Sequence, residues 1–258
     1  KRGEYIFNAA GCLGCHTESK EAPRLAGGRA LKTPFGTFYG PNITPDPETG
    51  IGGWTDEDFV RALREGRSPD GTAYFPVFPY TSFTHLTDQD LHDLKAYLDA
   101  QPAVSKPNRP HDVSPPFGWR FLLPAWQALF LDRGRLPPEA GRDARWERGR
   151  YLVQAAGHCG ECHSPRNFMG AVDHGRMLAG TADGPEGKPV PNITSDPENG
   201  IGKWSPGEIA FLLEIGMMPD GDFVGGGMNE VVENSTSKLT AEDREAIAAY
   251  LLTVPPGG

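Results

Sequence analysis

Apolar residues recur at helical spacing in short stretches. Tyr5, Ile6 and Ala9 share one helix face near the start, and Leu91, Leu94 and Leu98 share another further on. The second half repeats the pair with Tyr151, Leu152 and Ala155, then Ile247, Tyr250 and Leu251. This pattern predicts helices starting near Gly3 and Glu147, middle helices over 55–65 and 205–215, and last helices over 88–100 and 241–253. Thr55 and Ser205 stand where N-caps belong. Thr87 with Asp90, and Thr240 with Asp243, read as loose capping boxes. The intervening stretches are long and rich in breakers, with 33 Gly and 25 Pro in 258 residues, so much of the chain is expected to be loop.

Self-comparison shows why the pattern comes twice. Residues 41–54, PNITPDPETGIGGW, return at 191–204 as PNITSDPENGIGKW, identical at 11 of 14 positions. Pro69-Asp70-Gly71 returns as Pro219-Asp220-Gly221, and Ala96-Tyr97-Leu98 as Ala249-Tyr250-Leu251. The stretch from Tyr5 to Cys12 resembles that from Tyr151 to Cys159, with one extra residue, His158, in the second copy. The expected organisation is one domain over 1–102, a Pro/Arg-rich linker with an apolar segment over 103–145, and a second domain over 146–258. The linker, which holds Trp119, Phe121, Trp126 and Phe130, reads as a segment packed across both domains or as a docking surface for a partner or membrane face.

The formal net charge of −9 disfavours nucleic acid and anionic lipid as partners and suits docking onto a basic protein surface. No run of 18 apolar residues exists, so no transmembrane segment is predicted. No export signal is visible, and the chain opens at Lys1-Arg2-Gly3, already close to its first helix. The expectation is a processed N-terminus from which an export signal or anchor has been removed.

The four cysteines occur as Cys12-Leu13-Gly14-Cys15-His16 and Cys159-Gly160-Glu161-Cys162-His163. Each is C-x-x-C-H, the attachment pattern of c-type haem. Two thiols three residues apart on a helical turn reach the two vinyl groups of one porphyrin, and the next residue turns its imidazole to the iron. A redox dithiol or half a zinc site would use C-x-x-C alone and would not need His directly after both pairs. Two covalently bound haem c groups are therefore expected, with His16 and His163 as iron ligands. No cysteine is left for a disulfide.

Haem irons that only exchange electrons usually pair His with Met. Counting forward from the two Pro-Asp-Gly turns puts Met228 opposite Phe78. Met228, in a glycine-rich stretch read as a flexible loop, is the expected sixth ligand of the second haem. Met169 and Met177 are expected to pack on the haem edge, and Met217 and Met218 to end a helix and fill core gaps. Phe78 cannot ligate iron, and no Met lies between Lys1 and Phe168. The sixth ligand of the first haem is left unassigned, with Tyr80 and His85 as candidates and an open position as the alternative.

A helix bearing C-x-x-C-H and an amphipathic helix at the end form the layout of a class I cytochrome c. The segments Thr33-Pro34-Phe35-Gly36-Thr37, 41–54, 59–66 and 78–84 resemble bacterial periplasmic cytochromes c. These include the cytochrome subunits of membrane-associated alcohol and gluconate dehydrogenases, and the likeness is greatest to their two-haem relatives. The resemblance implies an all-α fold of two tandem class I domains, with the terminal helices of each crossing and the haem filling the core. It implies a Met ligand between the middle and last helices. It implies a periplasmic protein that takes electrons from a dehydrogenase-type donor and passes them to a respiratory acceptor, with no catalytic residues of its own. Two departures stand out: the dehydrogenase subunits generally have three haems, and their first domain often has Met at the position of Phe78. The alternative reading is an enzyme or a small-ligand binder acting at the first haem.

Overall fold

The computed structural model describes residues 1–257. The chain falls into two compact units, Lys1–Arg135 and Leu136 onward. The stretch 103–145, which the repeat places outside both copies, is divided between them.

The first unit contains helices α1 (Arg2–Ala9), α2 (Cys12–His16), α3 (Asp56–Glu65), α4 (Tyr80–Phe83), α5 (Asp88–Asp99) and α6 (Leu123–Phe130). The second contains α7 (Ala144–Tyr151), α8 (Gly160–His163), α9 (Pro206–Ile215), α10 (Gly226–Asn234) and α11 (Ala241–Leu251). In each copy of the repeat the first and last helices, α1 with α5 and α7 with α11, pack together through a glycine. A Cβ on Gly3 would lie 1.9 Å from the Asp93 carbonyl oxygen of α5, and one on Gly149 would lie 1.9 Å from that of Ala246 in α11. The aromatic face of each last helix closes the crossing: Tyr97 packs on Phe7 and Tyr250 on Trp146, both with ring centres 5.1 Å apart.

The middle helices are set by their caps. Thr55 accepts from the Asp58 N–H while the Asp58 carboxylate accepts from the Thr55 N–H, and Ser205 and Glu208 repeat this reciprocal pair. At α5 and α11, Thr87 and Thr240 cap in the same way, accepting from the backbone N–H of Asp90 and Asp243. Gly66 and Gly216 end the middle helices in the left-handed conformation, at φ 60° and 80°.

The fold is mostly helical, but the all-α expectation needs a correction. Three short antiparallel strands form a sheet in the first unit: β1 (Ala30–Thr33), β2 (Gly36–Tyr39) and β3 (Asp112–Val113). Gly36, at φ 138°, lets β3 approach: a Cβ there would stand 2.4 Å from the Asp112 carbonyl oxygen. The sheet packs into a small core of Phe38, Ala73, Phe75 and Leu123. Residues after 103 thus complete the first unit. Gln127, buried in α6, donates to the Glu65 and Gly66 carbonyls at 3.0 and 3.2 Å, serving the end of α3 from a distant segment. Arg120 donates to the Ala73 carbonyl at 2.9 Å and lies over the Phe75 ring. The other side of this segment is exposed and apolar: Phe121 is 72% and Leu129 69% accessible, with Trp119 stacked on Phe121. No helix among the described residues is long and apolar enough to cross a membrane.

Candidate haem-attachment sites

The same construction presents both C-x-x-C-H turns. In the first unit, Gly11 turns the chain at φ 59° between α1 and Cys12. In the second, His158 takes the left-handed position at φ 39°. The extra residue of that copy is absorbed just upstream, where a π turn over Leu152–Ala156 follows α7 and Gly157 donates to the Leu152 carbonyl at 2.6 Å.

Beyond each histidine the backbone folds back through a buried leucine of positive φ, Leu25 at 62° and Leu178 at 64°. Thr17 Oγ1 accepts from the Leu25 N–H at 3.1 Å, and Ser164 Oγ from the Leu178 N–H at 2.9 Å. Gly27 and Gly180 donate to the His16 and His163 carbonyls at 2.8 and 2.7 Å. Ile43 and Ile193 then donate to the Leu25 and Leu178 carbonyls, each at 2.9 Å. These bonds bring the repeated Pro-Asn-Ile-Thr segment beside the histidine. His16 Nδ1 lies 2.8 Å from the Pro41 carbonyl oxygen, and His163 Nδ1 lies 2.9 Å from that of Pro191.

A carbonyl only accepts, so Nδ1 carries the proton in both rings, and the Nε2 lone pair is left for a metal. Burial holds both imidazoles below the usual histidine range, against the opposing pull of the carbonyl bond, which favours the neutral ligand form. Burial, and secondarily the neighbouring Cys15 or Cys162, pushes the Cys12 and Cys159 thiols up to about 12. None of the four cysteines is in a disulfide. Among the described residues no three His, Cys, Asp or Glu side chains converge to hold a bare metal ion. The donor set fits haem: each turn offers two thiols and one imidazole of fixed tautomer. Pro41 and Pro191 were not singled out as site residues from the sequence, although the repeat of their loop was the signal that marked them.

The repeat also holds around the two Pro-Asp-Gly turns. Tyr74 donates to the Gly66 carbonyl at 2.7 Å, and Val224 to that of Gly216 at 2.8 Å. Met217 and Met218 enter this turn just past the end of α9, half-buried. The paths then diverge. Met228 is the third residue of α10 and half-buried; the glycines ahead of it cap a helix where the sequence suggested a loop. Phe78 sits in a turn before α4, edge-on to Tyr74, Tyr80 and Phe83 at ring-centre distances of 5.8, 6.3 and 5.8 Å. Tyr80 is fully buried, its ring against Gly66 and edge-on to Trp126. His85 follows α4, with Nδ1 bonded to the Gly134 carbonyl. Met177 lies close to Gly160 of the second C-x-x-C-H turn, whereas Met169 is partly exposed in the following loop.

The cytochrome c family model matches residues 1–101. A dihaem cytochrome c-type protein of Cereibacter sphaeroides is 50% identical over 98% of this chain and 85% of its own length. The chain belongs to the dihaem cytochromes c. It carries two covalently bound haem c groups. The alcohol dehydrogenase (quinone) cytochrome c subunit of Gluconobacter oxydans is 38% identical over 99% of this cytochrome and 54% of its own length. The fructose dehydrogenase cytochrome subunit of Gluconobacter japonicus is 38% identical over 98% of this cytochrome and 52% of its own length. The cytochrome thus spans about half the length of these two dehydrogenase subunits.

Proposed function

We propose that the cytochrome is an exported, periplasmic electron carrier built from two tandem class I domains. Cys12 and Cys15 would hold one haem with His16 as iron ligand, and Cys159 and Cys162 the other with His163. Bound haem supplies one-electron exchange between ferrous and ferric iron. The protein's part is to fix each imidazole, exclude water and set each potential. The observation that carries this reading is the histidine–proline carbonyl bond, present at both C-x-x-C-H turns with the same supporting backbone bonds. Met228, on α10 between the middle and last helices, is the proposed sixth ligand of the second haem.

The donor is proposed to be a dehydrogenase, by analogy with the alcohol, fructose and gluconate dehydrogenases whose cytochrome subunits are similar to this chain. A downstream respiratory acceptor takes the electrons. The exposed Trp119, Phe121 and Leu129 offer an apolar face for a protein partner. Phe78 supports a second reading, small-ligand binding at the first iron, because counting from the two Pro-Asp-Gly turns sets a ring opposite the Met228 thioether.

Peptide mass spectrometry of the protein matured with a c-type haem attachment system tests the sites. Haem adducts are expected on the peptides containing Cys12 with Cys15 and Cys159 with Cys162. Cys12→Ala with Cys15→Ala should remove one haem and leave the other. Adducts on neither peptide would overturn the assignment.

A further inference from the structure

In the first unit, the loop carrying Pro41 is strapped down by residues that follow α5. The Val104 carbonyl accepts from Asn42 Nδ2 at 2.8 Å, and the Val104 N–H donates to Thr44 Oγ1 at 3.2 Å. Lys106 N–H donates to Thr49 Oγ1 at 3.0 Å. Asn108 ends the strap with two bonds: its Nδ2 donates to the Thr49 carbonyl at 3.1 Å, and its Oδ1 accepts from the backbone N–H of Asn42 at 2.7 Å.

That N–H belongs to the same peptide group as the Pro41 carbonyl, which accepts from His16 Nδ1. One planar unit therefore carries a hydrogen bond at each end. A peptide whose N–H already donates has a more polarised carbonyl, and such cooperativity strengthens a bond by roughly 10–30%. The second unit repeats the histidine bond to Pro191, and Asn192 Oδ1 holds Thr194 as Asn42 Oδ1 holds Thr44. Among the described residues, however, no group accepts from the Asn192 N–H.

We propose that Asn108 is a positioning residue for the first haem. Through the Pro41–Asn42 peptide it strengthens the carbonyl's hold on the Nδ1 proton of His16. It thereby makes that imidazole a stronger electron donor than His163. A more basic axial ligand stabilises ferric over ferrous iron. Asn108 thus lowers the first haem's potential independently of what stands at position 78. The inference rests on His16 being the ligand of that haem.

The test is a redox titration of the full two-haem protein carrying Asn108→Leu or Asn108→Asp. Both variants lose the bond to Thr49, so a purely structural role would move both alike. Only aspartate keeps an acceptor for the Asn42 N–H. At high salt, where a surface charge is screened, Asn108→Leu should raise the ferrous-to-ferric ratio of the first haem several-fold at a fixed poise. The second haem should not move, and Asn108→Asp should stay at or below the wild-type ratio. If the leucine variant loses haem, Asn108→Gly removes the same bonds without added bulk. An unmoved first haem in the leucine or glycine variant, or equal shifts in leucine and aspartate, would overturn the proposal. Absence of haem from the wild-type Cys12–Cys15 peptide would instead overturn the site assignment beneath it.

Discussion

Gly149 meets Ala246 backbone to backbone, leaving no room for a Cβ: the atom would stand 1.9 Å from the Ala246 carbonyl oxygen and 3.0 Å from the Tyr250 Cβ. Neither neighbour is the flexible end of a side chain, so α7 and α11 must separate to admit a methyl group. Overpacking of this kind costs about 1–3 kcal/mol, occasionally more. Gly149→Ala should therefore lower the thermal midpoint of the holoprotein, and Gly3→Ala should do the same through Asp93 in α5. Calorimetry of the two variants checks this; an unchanged midpoint would show that the helices do not cross so closely.

Gln127 gives a second stability prediction. Its Nε2 serves two carbonyls at the end of α3, and its Oε1 is buried with no partner among the described residues. Gln127→Ala leaves the Glu65 carbonyl short of a donor, while Gly66 keeps the Tyr74 N–H, at a cost of about 1–3 kcal/mol. Denaturant unfolding should show the loss, and hydrogen exchange should place it at 62–66. Protection unaltered there would mean that α6 does not stabilise α3.

Met228→Ala should abolish the sulfur-to-iron charge-transfer band of the oxidised protein and lower the potential of one haem, because thioether ligation favours ferrous iron. A band that survives the substitution would remove Met228 from the ligand set.

Phe78→Met places a thioether where the first unit now has an aromatic ring packed by Tyr74, Tyr80 and Phe83. The substitution should raise the potential of the first haem and reduce carbon monoxide binding to it in the ferrous state. If carbon monoxide fails to bind that haem in the unsubstituted protein, the sixth position is already filled, and Tyr80 and His85 return as candidates.

The helix pairs, their caps and the two attachment turns were legible because each depends on residues close in sequence or on the internal repeat. Thr55 and Ser205 announce their helices locally, and the paired C-x-x-C-H motifs need no tertiary context. The sheet was not legible: β1 and β2 are four residues each, and β3 joins them from far along the chain at Asp112. The strap was hidden for the same reason, since Asn108 acquires its role only by meeting Asn42, 66 positions away. The extra residue before Cys159 was visible as a count, but its absorption by a π turn over Leu152–Ala156 is a backbone adjustment that no residue pattern announces. Met228 was read as part of a loop because its glycines are poor helix formers, yet they sit in the cap and first turn of α10, where that cost is smallest.

The central prediction is an asymmetric pair of haems, the first of lower potential than the second, so that electrons would run downhill from the first to the second. Its most direct test is a potentiometric titration resolving both centres, assigned with the two paired cysteine-to-alanine variants. Phe78 and Asn108 both predict that the haem on Cys12 and Cys15 titrates at a lower potential than the haem on Cys159 and Cys162. An equal or higher potential at the first haem would contradict the account.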